Sequence, residues 1–110
     1  MKLQELESIL IEKGFEEEKL DSGYNYTKKV GHILLICYVE PDIEVEFIAI
    51  YRWNNNDVKG THNLSLNELD RSKDSVETLF RKTKNNMPQQ IGNFTDTHRE
   101  VEEAIRDLFE

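Results

Sequence analysis

The stretch "ILLICYVEPDIEVEFIAIYRW", residues 33–53, constrains the fold more than any other part of the chain. Two runs of β-branched, aliphatic and aromatic residues flank Pro41 and Asp42, residue types that make turns, so the stretch reads as a β-hairpin. The fixed φ of Pro41 suits the second position of a type I turn in "EPDI". Strand periodicity continues on both sides, predicting strands near 24–30, 32–39, 44–53 and 58–64, with "VGH", "EPDI" and "NNND" at the corners.

A two- or four-residue loop would set the hairpin register so that one face carries Leu34, Ile36 and Tyr38 with Val45, Phe47, Ala49 and Tyr51. That face is expected to be the core. The other would pair Val39 with Glu44, Cys37 with Glu46, Leu35 with Ile48 and Ile33 with Ile50, apolar in the middle and acidic at one end. A solvated sheet face shows regular polar alternation, and this one does not. It is therefore expected to be covered, in the simpler reading by one of the chain's own helices and otherwise by another protein.

Helical spacing governs the ends. Leu3, Leu6, Ile9 and Leu10 predict an amphipathic helix over 2–13, ended by Gly14 with Phe15 folding back on Leu10 in a Schellman cap. The acidic "EEEKLDSG" that follows reads as a loop. Ser65-x-x-Glu68 and Thr97-x-x-Glu100 both fit the capping box. A helix is expected within 66–84, interrupted around "DRSKD", and a last one after the loop "NNMPQQIGN", with Val101, Ala104, Ile105 and Leu108 on one face. The fold class is α+β: a single domain over residues 1–110, with a helix, a four-stranded mainly antiparallel sheet, then two helices.

Composition narrows the chemistry. One cysteine, Cys37, forbids an internal disulfide, and its place inside "ILLICYV" suits a buried, inert thiol. His32, His62 and His98 lack metal-ligand spacing, and the five glycines are isolated, so no phosphate loop exists. "PDIEVEF" opens like a Pro-Asp nuclease pattern, yet Glu46 stands where a lysine is needed, and the carboxylates lie on one strand instead of converging on a metal. No cofactor, metal or catalytic set is expected. The N-terminus lacks a signal-peptide core and no span is apolar enough for a membrane, which predicts a cytoplasmic protein.

The net charge of −8 is concentrated at the ends. Residues 1–22 hold three lysines against seven carboxylates, and residues 95–110 hold two arginines against six. Such a field repels nucleic acid and steers toward basic partners. The abundance of Lys, Asn and Ile, nine each, against two Ala and two Pro suggests an AT-rich genome, in a bacterium or its phage.

The leading functional expectation is a non-enzymatic protein-binding module, in concrete form a phage- or mobile-element inhibitor that blocks a larger, basic-surfaced bacterial protein, such as a defence or nucleic-acid-handling enzyme. The expected contact residues are Asp42, Glu44, Glu46, Ile48 and Ile50 on the hairpin and Glu100, Glu103 and Asp107 near the C-terminus. The alternative is a small enzyme or ligand-binding domain with scattered site residues, Glu44, Glu46, Tyr38 or His32, near the mouth of the sheet. A third reading is a homodimer formed through the second sheet face.

Overall fold

The alternating segment forms a five-stranded antiparallel meander: β1 (Glu16–Lys19), β2 (Tyr24–Val30), β3 (Ile33–Glu40), β4 (Glu44–Trp53) and β5 (Asn56–Ser65). Helix α1 (Leu3–Glu12) precedes the sheet, and α2 (Leu66–Arg71), α3 (Val76–Asn85) and α4 (Thr97–Phe109) follow it. Two short strands, β6 (Gln90–Ile91) and β7 (Thr95–Asp96), pair just before α4. This computed structural model describes residues 1–53, 55–91 and 95–110. Asn54 of the "NNND" corner, Gly92 and Asn93 of the "NNMPQQIGN" loop, and Phe94 lie outside the described residues.

The α+β class and helix–sheet–helix order hold, with two corrections of detail. The sheet has five strands, because "EEEK" is an edge strand and not a loop. All four of its residues are exposed, so it shows no burial period to betray it. Three helices follow the sheet instead of two, because the interruption at "DRSKD" is complete: α2 stops at Arg71 and α3 restarts under a fresh cap from Ser75.

Local chemistry fixes the boundaries. Gly14 has φ 90°, and the N–H groups of Phe15 and Gly14 donate to the carbonyls of Leu10 and Ile11 at 3.0 Å each, the paired bonds of a Schellman cap. Ser65 and Glu68 form the expected reciprocal capping box at 3.1 Å in both directions. At α4 the expected cap moves by one residue. Asp96 is the N-cap and accepts from the Arg99 N–H, while Thr97 is buried inside the first turn and donates its hydroxyl to the Pro88 carbonyl.

The hairpin corner decides the faces. "EPDI" does not form a type I turn: Asp42 sits at φ 66°, in the left-handed region that aspartate tolerates better than most residues, and the Ile43 N–H closes the turn onto the Glu40 carbonyl. Three residues, Pro41 to Ile43, therefore separate Glu40 from its partner Glu44. That odd loop shifts the register by one position. Ile33, Leu35, Cys37 and Val39 lie opposite Tyr51, Ala49, Phe47 and Val45, and all eight are buried. Leu34, Ile36 and Tyr38, expected in the core, occupy the other face.

All four helices serve the first face. Leu6 and Leu10 of α1, Leu69 of α2, Val76, Leu79 and Phe80 of α3, and Val101, Ala104 and Ile105 of α4 form one core with it. Phe80 is its centre, stacking on Phe15 at 5.8 Å and meeting Phe47 edge-on at 5.2 Å. Gly60 lets the end of α3 close on β5: a Cβ there would stand 2.4 Å from Met87 Cγ and 2.6 Å from the Thr83 carbonyl oxygen. Two cations of α3 pair with the acidic C-terminal helix, Arg81 and Lys84 reaching Glu102 at 2.9 and 2.8 Å.

Candidate functional site: the open face of the sheet

The sequence predicts a covered second face, under one of the chain's own helices in the simpler reading and otherwise under another protein. Among the described residues nothing covers it. Leu34, Ile36, Ile48 and Ile50 are absent both from the buried core and from the apolar residues packed against it. Each is only half-buried, shielded by its neighbours in the sheet. The register brings the four into a block, Leu34 beside Ile50 and Ile36 beside Ile48, which the helix layer never touches.

What surrounds the block is ordered. β2 and β5, on either side of the central hairpin, present the same three residue types in the same sequence of rows. Lys29 and Lys59 flank Leu34 and Ile50, and Thr27 and Thr61 flank Ile36 and Ile48. Asn25 and Asn63 flank the next pair, Tyr38 and Glu46, and beyond these lie Glu40 and Glu44. At the edge, Glu16 and Glu18 of β1 extend the Thr27 and Asn25 rows.

The face is therefore polar along its strands. One end is cationic through Lys29 and Lys59, and the Arg52 guanidinium at its tip is occupied by Asp57 through hydrogen bonds of 2.8 and 3.2 Å. That pairing holds the Asp57 carboxyl below its ordinary range. The other end carries Glu40, Glu44 and Glu46. Six residues of extended chain, about 20 Å, separate the Leu34 row from the Glu40 row. At the cationic end a shallow depression of about 220 Å³ is lined by Lys29, Gly31, His32, Leu34, Ile50 and Arg52, among others.

The sequence-derived contact residues divide between the two layers. Glu44, Glu46, Ile48 and Ile50 share the open face, and Asp42 sits exposed in the turn beside it. Glu100, Glu103 and Asp107 are on α4, where they line a groove with His32 and the β2–β3 turn on the helix side. Leu34, Ile36, Lys29 and Lys59 were missed. The hairpin itself holds no signal that could have found them: either register leaves an apolar core face free of carboxylates, and only the odd length of the loop decides between the two.

The scattered catalytic set does not converge. His32 belongs to the cationic end, with its ring 6.3 Å from that of Tyr51, while Glu44 and Glu46 belong to the opposite end. Tyr38 is engaged by Ser22, oxygen to oxygen at 2.6 Å. Cys37 is fully buried, and that burial raises its thiol pKa, which keeps it protonated and unreactive. Tyr26 is likewise raised, by burial first and then by its hydrogen bond to Glu7. Among the described residues no three His, Cys, Asp or Glu side chains gather as a metal site. No described helix is long and apolar enough to cross a membrane.

Comparison with protein-family models, with curated proteins and with solved structures finds no match to the chain.

Proposed function

We propose that the protein is a non-enzymatic protein-binding module that works through the open face of its sheet. The observation that supports this reading is the uncovered block of Leu34, Ile36, Ile48 and Ile50, flanked by Lys29, Lys59, Thr27 and Thr61 and bounded at its ends by Arg52 and by Tyr38 with Glu46. An apolar centre inside a polar rim is the anatomy of a protein–protein contact, where the centre supplies burial and the rim selects the partner. Nucleic-acid-binding sheets instead stack bases on aromatic rings among cations. Here the one aromatic residue of the central rows, Tyr38, stands beside Glu46.

The rest of the surface favours a basic partner. Acidic side chains project from β1, from α1 and from the Glu100–Glu103–Asp107 side of α4, in a chain of net charge −8. A small module that lays such a surface on a larger, basic protein acts as a blocker of it, and a bacterial defence or nucleic-acid-handling enzyme is the target class that this charge suits. In that role the protein needs no chemistry of its own.

Site-directed photo-crosslinking in the cell tests the reading. A crosslinking side chain at Ile36, on the open face, is expected to give one defined protein adduct in high yield, while the same probe at Arg71 on the helix layer gives none. Equal, diffuse labelling from both positions, or no adduct from Ile36, would remove the open face as a docking surface.

A further inference from the structure

The two layers use their charges differently. In the helix layer Arg81, Lys82, Lys84 and Arg106 all hold carboxylate partners. On the open face, among the described residues, Lys29, Lys59, Glu40, Glu44 and Glu46 form no ion pair. Glu40 and Glu44 stand directly opposite each other, a like-charge pair that destabilises a sheet unless a cation lies against it. We infer that the occupant of this face is one amphipathic α-helix of a partner protein, lying along the strands with acidic side chains beside the lysine row and basic ones over the glutamates. This rests on the protein-binding reading above and specifies the shape and charge of the partner of that same surface.

The apolar block is a stripe that runs along the strands. It takes in β3 and β4 only, because β2 presents Lys29, Thr27 and Asn25 on one flank and β5 presents Lys59, Thr61 and Asn63 on the other. Two neighbouring strands about 4.8 Å apart, with their side chains, make a band about 10 Å wide, the diameter of a single helix. A partner sheet is wider and would lay its apolar side chains over both polar flanks. A helix presents one narrow apolar stripe, and helices cover sheets as a separate layer, as this chain's own do on the opposite side.

Length and charge fit the same occupant. The distance of about 20 Å from the Leu34 row to the Glu40 row corresponds to about 13 helical residues, an ordinary helix. The charges then fall by row. Lys29 and Lys59 share the row of Leu34 and Ile50, one on each flank, so they meet carboxylates on both shoulders of the helix at that end. Glu46, Glu40 and Glu44 lie on the two strands of the stripe itself, two and three rows further on, so there the helix carries lysine or arginine in its stripe. With Glu16 and Glu18 alongside on β1, the carboxylates outnumber the two lysines, and the complementary helix is basic on balance.

Mapped photo-crosslinks from both ends of the stripe test this geometry in the cell. The full chain carries the crosslinking side chain at Ile50 in one variant and at Glu44 in another, and mass spectrometry locates the residues that they capture. Both captured residues are expected in one segment of the same partner, about 13 positions apart, with Asp or Glu within a turn of the first and Lys or Arg within a turn of the second. Lys29→Glu with Lys59→Glu is expected to lower the yield of the Ile36 adduct about tenfold, with circular dichroism showing that the variant is folded.

Captured residues about six positions apart, the spacing of an extended strand over the same distance, overturn the helix but keep the open face as a docking surface. Captured residues in unconnected segments, or in a second copy of this chain, do the same. An Ile36 adduct whose yield survives the lysine reversal unchanged overturns the charge match. The absence of any adduct from Ile36, Ile50 and Glu44 removes both this inference and the docking reading on which it rests.

Discussion

The two faces of one sheet share every backbone hydrogen bond and differ only in which alternate residue they present. On the helix side, Val39, Cys37, Leu35, Val45, Phe47 and Ala49 are 0–1% exposed and form a core around Phe80. On the other, the apolar residues of the same two strands are packed only by their neighbours within the sheet. Core and open surface are thus divided by strand parity: the odd positions of β3 and β4 pack under the helices, and the even ones form the uncovered face.

That division can be broken most strongly at Phe47. Phe47→Ala removes a ring fully buried against Phe80 and is expected to cost about 3–5 kcal/mol in urea unfolding. Ile48→Ala, one residue along on the open face, is expected to cost the monomer only about 1 kcal/mol, the share that its cross-strand partner Ile36 and its strand propensity supply. If the two costs were similar, something would cover the second face.

A smaller effect is expected at Gly60, where the helix layer presses closest. Gly60→Ala pushes a methyl into Met87 and the Thr83 carbonyl and should cost about 1–3 kcal/mol, while Lys59→Ala, pointing to the open side, leaves the unfolding midpoint nearly unchanged. Next comes the cap at which the chain passes from sheet to helix. Ser65→Ala loses the bond to the Glu68 N–H and is expected to cost about 1 kcal/mol in the same assay.

The smallest effect is expected in the pH dependence of the helix layer. Hydrogen bonds from Arg81, assisted by Lys84, hold the Glu102 carboxyl down to about 2 from an ordinary 4.5. The folded state therefore binds its proton less readily than the unfolded chain, and the stabilisation is complete above about pH 4.5 and lost as pH falls toward 2. Glu102→Gln should flatten that acid limb in thermal melts. Water and salt screen this partly exposed network, which keeps its share modest. The open face has no such network at its centre, so Thr61→Ala should leave the limb intact.

Much of this architecture was legible in the sequence because it rests on local signals. Alternation located β2 to β5 within three residues, Gly14 and Phe15 ended α1 as expected, and the "DRSKD" break fell between α2 and α3. What was not legible depended on single residues with no periodic signature. The left-handed conformation of Asp42 made an odd loop, and with it β3 presented the opposite set of side chains to the helices. Of the candidate site, Glu44, Glu46, Ile48 and Ile50 stood together in the sequence as in the structure. Their neighbours Leu34 and Ile36 were assigned to the core, and the matching lysines came from strands 30 residues apart, which only the sheet brings to one row.

Edge strand β1 bears on how such a molecule could multiply its contacts. Three glutamates and a lysine run along the border where another chain would add its backbone to the sheet, and every one of them projects into water. Sideways growth by strand addition would stack carboxylate on carboxylate with each added unit. Lateral growth through this edge is thereby disfavoured at its first step.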